Sequence, residues 1–221
     1  MRWGVMGWSR LTDPRGAVSI EWSRFQRLLL DSSNHMYRGI PHGHWSLDWD
    51  RFHKIHPEYF ALQPDGSRSG FPGRGRHKLC KSNPAVWDAW LKDVERQLRE
   101  DPGRTLFRGG VNDSNLAGYC ICENCRAWDV AGAELRRLIW QGVSQEYVAL
   151  SDRQTRFANH LARKLHKRYQ DKDYYVMMLA YGPSTPAPVT NKPADNVIVI
   201  HCTNWFADLK TEDRNSPIGT A

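Results

Sequence analysis

The sequence has no apolar run near the ~20 residues that a membrane span needs. No apolar h-region follows Met1-Arg2-Trp3, so this opening is not a secretory signal. Long runs of like charge and low-complexity tracts are missing as well. The net charge of +7 is spread along the chain. A basic balance permits an anionic partner. Without a basic run or an aromatic-basic stripe, a solvated basic surface explains it better than a nucleic-acid track. Cysteine is scarce, and the count of five is odd, so at least one thiol is free or shared with a partner.

What is present is a globular composition. Hydrophobic residues make up 40% of 221, with 10 tryptophans and 8 tyrosines, enough for a packed core. Strands are expected near 3–8, 36–41, 105–111, 175–181 and 197–202. Helices are expected near 20–32, 84–100 and 152–169. The second helix begins at Ser82-Asn83-Pro84 and carries Val86, Trp90, Val94 and Leu98 at spacing four. The third is read as capped by Ser151-Asp152, with Phe157, Leu161 and Leu165 on one face. Trp87 and Trp90 are assigned to helix packing. The stretch from Trp128 to Val148 reads as a partly helical insertion. Strands apolar on both faces alternate with helices, which means an α/β fold with a parallel sheet. Five strands are too few to close an eight-stranded barrel. The expectation is an open sheet or an incomplete (β/α)8 barrel over residues 1–205, with 206–221 unassigned.

The most chemically loaded stretch is Arg104 to Cys125, RTLFRGGVNDSNLAGYCICENC. An apolar run empties into the polar cluster Asn112-Asp113-Ser114-Asn115, the pattern of a strand ending in a loop. Cys120, Cys122 and Cys125 follow as C-x-C-x-x-C, with Cys80 upstream. Four thiolates at such spacing suit a structural zinc. Two disulfides, or reduced packing thiols, are the competing readings.

Four segments then stand out together: HPEYFALQPDGSR (56–68), LCKSNPAVWDAWLKDVERQLRE (79–100), VNDSNLAGYCICENC (111–125) and PADNVIVIHC (193–202). In order and spacing they resemble the bacterial domain of unknown function 4838. That family looks related to alpha-glucuronidase-type glycoside hydrolases and their (β/α)8 barrels. The resemblance implies a barrel centre cut from a longer, exported, carbohydrate-active polypeptide. One departure is the approach FRGGVND, where a serine or proline before the Asn-Asp pair is expected.

On that reading Asp113 is the candidate catalytic carboxylate. Glycoside hydrolysis needs one carboxylic acid and a second carboxylate, and barrel chemistry sits at strand C-termini. The bland alternative for Asn112 and Asp113 is an Asx-turn. Asp208 and Glu212 follow the last strand, but neither is identified as the second carboxylate. Asn112, His42, His44, Trp45, Tyr181, Asn204 and Trp205, all at expected strand ends, are the candidate substrate contacts, against ordinary loop and rim packing. The function expected is a glycoside hydrolase-like enzyme on a poly- or oligosaccharide. A non-catalytic carbohydrate-binding barrel and a zinc-stapled nucleic-acid-binding module are the alternatives. No cofactor is required for the catalysis itself.

Overall fold

The computed structural model describes residues 47, 49–68, 77–110, 118–133, 135–140 and 143–201. The strands expected near 3–8 and 36–41 and the helix near 20–32 lie outside them. Helix α1 (Trp49–Phe52) and a 3-10 turn (Pro57–Tyr59) lead to an isolated antiparallel bridge between Phe60 and Leu79. Helix α2 is Pro84–Glu100. Asn83 is its N-cap, with Oδ1 accepting from the Ala85 N–H at 3.0 Å and Pro84 in the first turn. The helix closes where the Asp101 N–H donates to the Gln97 carbonyl, just before Pro102-Gly103. Strand β1 (Leu106–Arg108), helix α3 (Glu123–Arg126), strands β2 (Leu135–Trp140) and β3 (Val143–Val148), helix α4 (Ser151–Arg168), and strands β4 (Tyr175–Ala180) and β5 (Val197–His201) follow.

Strands β1, β4 and β5 form a parallel sheet in that spatial order, which is also their chain order. The register sets Phe107 beside Val176 and Met178 beside Val199. One face of the sheet carries Phe107, Val176 and Met178. It packs with Val86, Trp90 and Val94 of α2 and with Phe157, Leu161 and Leu165 of α4. Each helix supplies these residues at spacing four, which lays them along one stripe. Each such side chain taken from water contributes about 1.5–3 kcal/mol. The other face carries Met177, Leu179 and Ile200, also buried, with Leu106 and Tyr181 against them. Burial on both faces is why β4 and β5 read as continuous apolar runs. The Trp90 indole also donates from Nε1 to the Arg108 carbonyl at 2.7 Å, tying α2 to the end of β1.

Two expectations are corrected. The insertion over 128–148 is not partly helical: β2 and β3 pair antiparallel, Leu135 opposite Val148 and Trp140 opposite Val143. Leu135-Arg136-Arg137-Leu138 are good helix formers. Yet Gln141-Gly142 between two six-residue segments is a hairpin signal, and the cross-strand ladder prevails. The second correction concerns α4. Its N-cap residue is Leu150, and Asp152 lies inside the first turn. Its carboxylate instead accepts from the N–H groups of Val189 (2.7 Å), Thr190 (2.8 Å) and Asn191 (2.7 Å), from Thr190 Oγ1 and from Asn191 Nδ2. It thereby fixes the Pro-rich connection between β4 and β5 onto α4.

Candidate metal centre

Cys80 is positioned by the short ladder that precedes α2. The Ala61 N–H donates to the Lys78 carbonyl and the Cys80 N–H to the Tyr59 carbonyl, each at 2.9 Å. The next residue of that segment, Leu62, accepts from the Ile121 N–H at 3.1 Å and donates its own N–H to Cys120 Sγ at 3.3 Å. Gln63 Nε2 donates to the Gly118 carbonyl at 3.2 Å, where Gly118 takes a φ of 82° that favours glycine. Cys122 is the N-cap of α3, its sulfur accepting from the Cys125 N–H at 3.4 Å. One segment, 59–63, thus brings the C-x-C-x-x-C motif against Cys80.

The four sulfurs lie within 4.8 Å of one another. Cys80 Sγ is 3.7 Å from Cys122 Sγ and 3.9 Å from Cys125 Sγ. Four ligands ~2.3 Å from a tetrahedral metal are about 3.8 Å apart, so these spacings fit that polyhedron. A disulfide would bring two sulfurs to ~2.05 Å. All four are free thiols, so neither of the two disulfides considered from sequence is formed. Cys80, Cys120 and Cys125 are buried and Cys122 is partly exposed. The fifth cysteine, Cys202, lies outside the described residues. The four cysteines together could hold a metal ion.

The surroundings favour the thiolate at Cys125. Cys125 is drawn well below the usual thiol range, first by Cys120 and Cys80 thiols donating to it and then, against burial, by Ser82, whose Oγ is 3.1 Å away. Cys120 is raised, chiefly because its proton is shared with Cys125 and Cys80. Cys120 donates to Cys80 and lowers it, but donation to Cys125, burial and the neighbouring thiols prevail and push Cys80 up to about 12. Four thiols this close share protons, and a bound cation would displace them.

Buried cations lie around the cluster, Lys78 over the Tyr119 ring among them. Arg153, 4% exposed, donates from Nη1 to the Cys120 carbonyl at 2.8 Å and grips Asp129 with Nε and Nη2 at 2.8 and 2.5 Å. Lys81, 5% exposed, donates to the Gln154 side chain and lies 5.9 Å over the Phe157 ring. Burial, then Arg153, pulls Lys81 down to about 7, while Cys125 opposes the shift. Gln154 in turn donates from Nε2 to the Gly109 carbonyl at 3.0 Å, just past β1. The chain Lys81, Gln154, Gly109 therefore places the cysteine cluster, the start of α4 and the C-terminal end of β1 together.

Of the candidate substrate contacts, Tyr181 is described. It follows β4, half-buried, and its N–H donates to Ser184 Oγ at 3.2 Å in the turn Gly182–Ser184. Asp113, Asn112, His42, His44, Trp45, Asn204 and Trp205 lie outside the described residues. The metal ligands Cys80, Cys120, Cys122 and Cys125 are all brought together. Lys81, Ser82 and Arg153 were missed by the reading of the sequence. Adjacency to Cys80 was a signal for the first two, whereas nothing local marks Arg153. Among the described residues no helix is long and apolar enough to cross a membrane.

No curated protein and no solved structure matches the chain. A family model described as a domain of unknown function, DUF4838, matches residues 16–220, almost the whole length. The chain carries the cysteine cluster at the end of a parallel α/β sheet, and it belongs to the DUF4838 family.

Proposed function

We propose that the chain is a glycoside hydrolase-like α/β unit, part of a (β/α)8 barrel, whose β1-to-α4 connection is held by a four-cysteine structural zinc. The observation that carries the zinc is the convergence of the four sulfurs within 4.8 Å of one another, with Cys80 at near-tetrahedral spacing from Cys122 and Cys125. Tetrathiolate sites of this geometry suit Zn2+ and need no open position, so the role is structural. The ion would be held by Cys80, Cys120, Cys122 and Cys125. What it supplies is a fixed start to α3 and a fixed return of the chain at Gly118.

Support for the barrel comes from strand order. Parallel strands whose spatial order follows the chain, with β1 joined to β4 through α4, are how a singly wound barrel is laid down. Such enzymes act at the C-terminal ends of their strands. In this chain that end of β1 is followed, after Gly109-Gly110-Val111, by Asn112-Asp113, and that of β4 directly by Tyr181. In the proposed chemistry Asp113 protonates the leaving glycosidic oxygen. Asn112, His42, His44, Trp45, Tyr181, Asn204 and Trp205 hold the sugar. The full-length protein is proposed to be exported and to act on a carbohydrate.

Metal analysis of purified protein tests the first half: one zinc per chain is expected, lost on Cys125→Ser. Substrates test the second. Asp113→Asn should abolish turnover of glycosides with poor leaving groups and spare activated aryl glycosides, which need little protonation. Equal loss on both, or no loss, removes Asp113 from the acid role.

A further inference from the structure

A dication held by four thiolates carries two net negative charges, and three of the four cysteines are buried. Buried charge is costly unless hydrogen bonds satisfy it, so donors to sulfur are part of the centre. Two of them are backbone groups: the Leu62 N–H reaches Cys120 Sγ at 3.3 Å, and the Cys125 N–H reaches Cys122 Sγ at 3.4 Å. Another belongs to a side chain. Ser82 Oγ lies 3.1 Å from Cys125 Sγ and 3.8 Å from both Cys80 Sγ and Cys122 Sγ. One hydroxyl therefore sits against three of the four sulfurs. The local sequence puts it there. In Cys80-Lys81-Ser82-Asn83 the Asn83 N–H donates to the Cys80 carbonyl at 3.1 Å, closing a β-turn with Ser82 at its third position. The Trp87 indole holds the same turn by donating from Nε1 to the Lys81 carbonyl at 2.8 Å. A serine just before a helix ordinarily serves as its cap. Here Asn83 caps α2, which leaves the Ser82 hydroxyl to the cysteines.

We propose that Ser82 is the outer-shell donor of the metal-loaded cysteine centre: its hydroxyl hydrogen-bonds the Cys125 sulfur and lies over the face that Cys80, Cys122 and Cys125 share. The proposal rests on the zinc reading above. In the metal-free chain the hydroxyl can donate to a sulfur or accept from a thiol. Around a bound metal the ligand sulfurs hold no proton, so the hydroxyl can only donate. A hydrogen bond to a charged acceptor is roughly twice as strong as a neutral one. The contact therefore strengthens on metal loading, and a contact that strengthens on loading raises affinity. Ser82 is a positioning residue, because it acts on the metal through Cys125. Outer-shell partners of this kind typically change metal affinity ~10–100-fold.

The test compares zinc content and zinc transfer to a chromophoric chelator for the wild-type chain, Ser82→Ala and Ser82→Thr. The wild type is expected to hold one zinc. Ser82→Ala is expected to weaken binding about 10–100-fold, and Ser82→Thr, which keeps the hydroxyl, to stay within about threefold of the wild type. Zinc has no visible spectrum of its own, so the same proteins are also loaded with Co2+ in its place. A hydrogen bond holds electron density on the sulfur. Its loss in Ser82→Ala should move the sulfur-to-cobalt charge-transfer band to lower energy, while Ser82→Thr leaves the band where it was. A serine that merely packs the turn would change stability without moving the band. An unmoved band, or Ser82→Ala binding zinc within about twofold of the wild type, overturns the proposal. Should Ser82→Ala not fold, Ser82→Gly removes the same hydroxyl and carries the same comparison. A wild type that takes up neither metal overturns the metal reading itself, before any variant is compared.

Discussion

Gly109 is the position where the fold leaves least room, and Gly109→Ala tests the packing argument directly. A Cβ there would lie 2.5 Å from Val176 Cγ1, 3.2 Å from Leu161 Cδ1 and 3.5 Å from the Met177 carbonyl oxygen. Val176 is fully buried and β-branched, so its methyl has no rotamer into which to retreat. The backbone is equally committed. The Gly109 N–H donates to the Met177 carbonyl at 2.7 Å, and its carbonyl accepts from Gln154. Relief must come from shifting β4 against the end of β1, with α4 giving way at Leu161 as well. Overpacking of this kind costs about 1–3 kcal/mol, and the stiff neighbour puts Gly109 in the upper half of that range. For a domain of this size 1 kcal/mol moves Tm by roughly 2–4 °C. A fall of about 4–12 °C in calorimetry is therefore expected. Gly103→Ala is the control. Its Cβ would meet only Asp101 Oδ1 at 3.6 Å, so its Tm should hold or rise slightly. Adding Val176→Ala to Gly109→Ala should cost less than the sum of the two changes, because the second removes the methyl that the first strikes. A Gly109→Ala Tm equal to that of Gly103→Ala, or strict additivity of the pair, would refute the reasoning.

Asp152→Asn should lower stability by about 3 kcal/mol at neutral pH, since donors gathered on a charged acceptor are worth about 1.5–3 kcal/mol apiece. Burial would raise that carboxyl, but the Val189, Asn191 and Thr190 donors outweigh it and hold it far below the usual range. A depressed folded pKa stabilises fully above the unfolded value of ~3.9. The gap between wild type and variant in chemical denaturation should thus narrow as pH falls below about 4. Asp129→Asn should cost about 3–5 kcal/mol, because it leaves the Arg153 guanidinium buried without its anion. Arg153→Met, in the same denaturation series, should cost less. Trp90→Phe should cost about 0.5–1.5 kcal/mol, the net worth of the hydrogen bond that Trp90 Nε1 donates to the Arg108 carbonyl at the end of β1.

The two long helices were legible because their buried residues recur at a spacing that only a helix turns into one stripe. Val86, Trp90 and Val94 do so in α2, and Phe157, Leu161 and Leu165 in α4. Strands β4 and β5 were legible because burial on both faces leaves an unbroken apolar run. The cysteine set was legible from spacing, although only the fold brings Cys80 to the other three. The hairpin was not. Its first strand is written in residues that favour helix, and the pairing partner that decides the matter comes after the turn. Arg153 and Gln154 were invisible for a related reason. Polar residues on an amphipathic helix are ordinarily assigned to water, yet the whole first turn of α4 is buried. The Arg153 and Gln154 side chains find their partners in the Cys120 carbonyl, Asp129 and the Gly109 carbonyl. The chemistry expected of Asp113 rests on residues outside those the structure describes.

The pairing of Leu135 with Val148 has an evolutionary consequence. The excursion between the cysteine cluster and α4 leaves and returns at one point, so its length is decoupled from the geometry at its base. Residues added between β2 and β3 would lengthen an arm without shifting either end. The entropy of closing a loop grows only slowly with its length, by about 0.6 kcal/mol per doubling. With the cysteines fixing one side of the base and the buried first turn of α4 the other, this connection can diversify among relatives. The parallel sheet beneath need not change with it.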